Sequence, residues 1–82
     1  MSKLGAHQLK KHSVTIRGHS TSFTLEDAFY HIICNLAEQR KMALAALIAE
    51  IDGLRPEGCN LSSALRLYAL QSVLREETAK AD

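Results

Sequence analysis

The stretch Arg17–Tyr30 reads RGHSTSFTLEDAFY, and its two halves follow different periods. Phe23 and Leu25 alternate with Ser22 and Thr24, the period of two that marks a strand with one apolar and one hydroxyl face. Thr24, three residues before Asp27, fits a capping box in its Asp variant, and Glu26 and Asp27 suit the positive end of a helix dipole. The segment therefore predicts a strand that runs directly into a helix, with Thr24 as both an outward strand residue and the helix cap.

Upstream, Val14 and Ile16 fall on one strand face with Thr15 and Arg17 on the other, and Gly18, His19 and Ser20 suit a turn. Residues 13–25 thus predict a two-stranded ribbon. Residues 1–12, MSKLGAHQLKKH, are basic and lack sustained periodicity, and predict a mobile arm. Downstream, Phe29, Ile32, Ile33, Leu36 and Ala37 form one helical stripe, ending near Arg40 or Lys41. Leu44, Leu47, Ile48 and Ile51 predict a second helix to about Asp52, with Gly53 as its stop. After the loop LRPEGCN, Asn60 or Ser62 can cap a third helix to about Glu76. There Leu61, Ala64, Leu65 and Tyr68 form one stripe, and Leu67, Leu70 and Leu74 form its neighbour. The expected organisation is an arm over 1–12, one domain over 13–77 and a tail over 78–82.

A chain of 82 residues has room for one small core, and association is a common remedy at this size. The two apolar stripes of the third helix predict burial on two sides, the second against a partner subunit. An obligate oligomer is expected. The net charge is +1, unevenly spread: Lys3, Lys10, Lys11 and Arg17 precede the first acid, Glu26. A basic end of this kind suits a polyanion. Cys34 and Cys59 provide no disulfide framework, and with no leader-like apolar stretch they suggest a reducing cytoplasm. No run has the length of a membrane span.

The segment TSFTLEDAFYHIICNLAEQRKMALAALIAEID, with VTIRGH before it and NLSSALRLYAL after it, resembles the ribbon-helix-helix transcription factors of the Arc and methionine repressor type. The flanking motifs are similar to a bacterial subfamily with an extra N-terminal strand and an extra C-terminal helix. The resemblance implies a mainly α fold with a short β-ribbon and an intertwined homodimer with an intersubunit antiparallel sheet. Its outward strand residues would enter the major groove of double-stranded DNA, as in a repressor-like, non-enzymatic regulator. By position, the contacts fall to Ser22 and Thr24, with Thr21 at the start of their strand, and to Arg17 of the extra strand, while His19 at the turn and Lys10 and Lys11 of the basic arm are further candidates. Lys41 and the start of the second helix, Met42 to Leu44, would meet a phosphate. Lys41 and Ala43 depart from the Gly and hydroxyl cap usual in the family. The alternative is a dimeric ligand-binding or protein-interaction module on the same fold.

His31 and Cys34 are spaced i, i+3, but no ligand set of metal-binding spacing accompanies them, so Cys34 reads as a small buried hydrophobe and no metal or cofactor is expected. Tyr68 has two readings. Either it packs in the core with a hydrogen-bonded hydroxyl, or it lines a small-molecule effector pocket with Arg66 and the ribbon. Ser62 and Ser63 lack a base and acid by any motif, so no catalytic residue is assigned.

Overall fold

A computed structural model describes residues 8–80 of the chain, with side-chain surroundings over 8–76. Two strands, β1 (Leu9–Ile16) and β2 (His19–Glu26), precede three helices, α1 (Asp27–Gln39), α2 (Leu44–Leu54) and α3 (Leu61–Lys80). The strands pair antiparallel from Leu9↔Glu26 to Ile16↔His19. Arg17 and Gly18 alone form the turn, at φ 52° and 80°, the two positive values that a type I′ hairpin demands. The turn is therefore shorter than the sequence suggests, and His19 and Ser20 belong to β2.

Ribbon and helices enclose a single apolar core, with Ile16, Phe23, Leu25, Ile33, Leu47, Ile48, Ile51 and Leu65 all at most 5% exposed. Each element contributes the stripe its period predicts. On α3 the inner stripe of Leu61, Ala64, Leu65 and Ala69 is buried, while Leu67, Leu70 and Leu74 are 52%, 48% and 55% exposed. Burial on a second side is thus not met within the chain.

The strand boundaries correct the arm. β1 starts at Leu9, because the ladder continues to the end of β2 whatever the side-chain pattern of Leu9 to His12. Residues 1–7 of the expected arm lie outside the described residues. His12 also has a packing reason to be ordered: its ring stacks on Tyr30 at a centroid distance of 3.9 Å and 8°, and on Phe23 at 5.4 Å and 26°. Its Nε2 is buried without a hydrogen-bond partner among the described residues, an arrangement that costs about 1–3 kcal/mol. His12→Phe, which keeps the stack and removes the nitrogen, is expected to raise stability by about 1 kcal/mol. An unchanged or lower urea midpoint would contradict this.

The helix boundaries bring three further corrections. Glu26, not Thr24, is the N-cap residue of α1, and no side chain caps it. The ladder holds Thr24 extended, opposite Lys11, two residues before the cap. Gly53 does not stop α2, which continues through Leu54 and leaves in an extended conformation at Arg55, the geometry favoured before Pro56. α3 continues through Lys80, so residues 78–80 are helix, and residues 81 and 82 of the expected tail lie outside the described residues. Asn60 caps α3 as one of the two residues proposed, its Oδ1 accepting the Ser63 N–H at 2.8 Å.

Candidate nucleic-acid interface

An inner face built from Ile16, Phe23 and Leu25 fixes the parity of the whole ribbon. The opposite parity places Leu9, Lys11, Ser13 and Thr15 of β1 beside Ser20, Ser22 and Thr24 of β2, all exposed. Apart from Leu9 these side chains are hydroxyls and one cation. Lys11, on this face, has no ion pair among the described residues. Glu26 shares the parity of Thr24 but is turned aside, its Oε1 accepting Arg66 Nε at 2.8 Å. That guanidinium keeps the Glu26 carboxyl below the ordinary carboxylate range. The acid at the ribbon's end is thus neutralised by α3.

The anticipated contacts do not all lie on one face. Ser22, Thr24 and Lys11 come together on the outward face. His19 and Thr21 have the inward parity, with His19 exposed beside the turn and Thr21 half-buried. Lys10 faces the helices and pairs with Asp27 at 3.2 Å. Arg17 departs furthest from expectation, since it occupies the turn rather than a strand. Its Nη1 donates to Asp52 Oδ2 at 3.3 Å and its Nη2 to the Ala49 carbonyl at 3.4 Å. Ser13, Thr15 and Ser20 were not singled out by the sequence. The I′ turn sets the parity that aligns them with Ser22, and an Arg-Gly pair does not announce such a turn.

Lys41 sits at φ 57° between α1 and α2. Its N–H bonds the Glu38 carbonyl and that of Met42 bonds the Ala37 carbonyl, both at 3.0 Å. This is a Schellman ending with Lys in the left-handed position that glycine usually fills, at a cost of about 1 kcal/mol. Ala43 then provides no side-chain cap for α2. The first N–H groups of α2 lie beside the exposed Lys41.

The ribbon's other edge is also defined. Flanking a two-residue turn, Ile16 and His19 exchange hydrogen bonds, so by alternation the backbone groups of Ser20, Ser22 and Thr24 point away from β1. The Thr24 N–H donates to Ser62 Oγ at 3.2 Å. A cleft of about 320 Å³ here is lined by Lys11, Ser22, Thr24, Asn60 and Ser62, among others.

The sequence model of the ribbon-helix-helix domain matches residues 9–73, most of the chain and all of the elements just described except the end of α3. The chain belongs to the ribbon-helix-helix domain family. No curated protein and no solved structure shows significant similarity to it. Ribbon-helix-helix domains are typically DNA-binding transcription regulators and a non-enzymatic fold, and they typically bind DNA as dimers.

The effector lining suggested by Tyr68, Arg66 and the ribbon is not assembled in this ribbon-helix-helix chain. Arg66 is held by Glu26, and the Tyr68 hydroxyl lies 3.1 Å from Arg40 Nη1. Arg40 also forms a two-point pair with Glu50 at 3.0 and 3.1 Å, which raises its already high pKa and ties α1 to α2. A cleft of about 290 Å³ does adjoin Tyr68, but Ile51, Leu54, Arg55 and Leu67 line it rather than the ribbon. Cys34 is half-buried beneath Tyr30, whose hydroxyl burial pushes up in pKa, with Cys34 adding to the shift. No group of three or more His, Cys, Asp or Glu among the described residues could hold a metal ion. None of the described helices is long and apolar enough to cross a membrane.

Proposed function

We propose that the chain is a homodimeric, repressor-like transcription regulator of the bacterial cytoplasm, which inserts the outward face of its ribbon into the major groove of double-stranded DNA. The observation that carries this reading is the face itself. Lys11, Ser13, Thr15, Ser20, Ser22 and Thr24 are exposed together on a two-stranded ribbon, an object that the major groove admits. Ser and Thr are permissive toward bases, so affinity rests largely on charge. Two subunits would join along the outer edge of β2, centred on Ser20 and Ser22, since Ser62 already holds the Thr24 N–H. Lys41 and the uncapped start of α2 would take a flanking phosphate.

A second reading, a dimeric interaction module with little DNA affinity, draws support from the scarcity of long side chains on the face and from Arg17 lying on Asp52. Mobility shift over a salt series with selected duplexes separates the two. A regulator binds with a steep inverse salt dependence, and no shift at low salt would favour the module. Light scattering at micromolar concentration tests the dimer, which a folded monomer would rule out.

A further inference from the structure

Asp52 carries two arginines at once. Arg55 Nε approaches its Oδ1 at 2.7 Å, whereas Arg17 reaches its Oδ2 at 3.3 Å. Arg55 is anchored further, with Nη1 donating to the Cys59 carbonyl at 2.6 Å. Both Arg17 bonds are long, and its side chain is 60% exposed. A Cβ built at Gly53 would stand 3.4 Å from Arg17 Nη2, so the guanidinium lies at contact distance from the end of α2. Arg17 also holds φ 52°, in a turn position that Asn, Asp or Gly occupies at less cost. A strained turn residue with two long bonds, one to the Ala49 carbonyl and one to a carboxylate already neutralised by a better partner, is weakly retained.

We propose that Arg17 is a releasable phosphate contact at the ribbon tip, parked on Asp52 in the free protein and transferred to the DNA backbone on binding. The inference rests on the DNA-binding reading and adds to it an autoinhibitory contact. The exchange leaves no bare carboxylate, because Arg55 remains on Asp52. A phosphate offers Arg17 two acceptor oxygens without a competing arginine. Asp52 therefore lowers affinity without altering the contacts made in the complex.

Anisotropy titrations with mixed-sequence duplex DNA over a salt series test this, with the fold of each variant checked by circular dichroism. Asp52→Asn is expected to tighten binding roughly threefold per Arg17 released, the scale of an exposed ion pair, at an unchanged salt slope. Arg17→Ala is expected to make the slope shallower by about 0.9 for each Arg17 engaged, and the double variant to match Arg17→Ala. Arg17→Lys should keep the slope, a comparison that stands even where Asp52→Asn misfolds. If the wild-type protein binds but Arg17→Ala retains its slope, or folded Asp52→Asn binds no more tightly, the latch is overturned and the DNA-binding reading stands. No binding by the wild-type protein at low salt overturns both.

Discussion

Replacing Leu65 by Ala is expected to destabilise the protein by about 3 kcal/mol, within the range found when a leucine is truncated in a packed core. Leu65 lies in α3 and is 0% exposed, in the same cluster as Leu25 of β2, Ile33 of α1, and Leu47 and Ile48 of α2. Truncation removes apolar area that was out of water and leaves a void that neighbours held by the hairpin and two helices fill only partly. Three polar ties accompany this packing, Arg66 to Glu26, the Arg40 group at Tyr68 and the Thr24 N–H to Ser62 Oγ. The third helix should therefore melt together with the ribbon and the first two helices. Urea denaturation followed by far-ultraviolet dichroism measures the loss. A value under about 1 kcal/mol, the scale of a surface change, would show that α3 folds apart from the core.

For DNA binding, Lys11→Glu is expected to have the largest effect, a loss of about 10- to 100-fold at moderate salt with a shallower salt slope. Each subunit of the proposed dimer would lose one phosphate contact and gain one repulsive charge on the inserted face. The adjacent Lys10→Glu provides the comparison. Lys10 is paired with Asp27 on the helix side, so its reversal should weaken DNA binding less while costing stability. Equal losses from the two variants would indicate a diffuse basic end rather than a directed ribbon face. No loss from folded Lys11→Glu would remove the ribbon from the proposed interface.

The difference between these adjacent lysines also marks how far the sequence could be read. The alternation of Phe23 and Leu25 with Ser22 and Thr24 was legible because burial on one face of a strand imposes a period of two. The stripes of α1, α2 and α3 were legible because a helix on a core imposes 3.6. β1 was only half legible. Leu9, Lys10, Lys11 and His12 show no alternation, and their strand follows from backbone pairing with β2 and from the stacking of His12 on Tyr30, neither of which leaves a periodic trace. Thr24 was misread as a cap because its spacing to Asp27 fits one, while the ladder that holds it extended depends on residues more than ten positions away.

By itself, the sequence carried the order of the elements and the faces they turn to the core, because local periodicity holds that information, and its motifs carried the resemblance to the family. Only the tertiary structure decided where the charges go. Arg17, Lys10 and Glu26 each find a partner on another element, on Asp52, Asp27 and Arg66 respectively, while Lys11 does not among the described residues. An ion pair depends on separation in space, and separation in space is set by the hairpin register and by the docking of α2 and α3 against the ribbon.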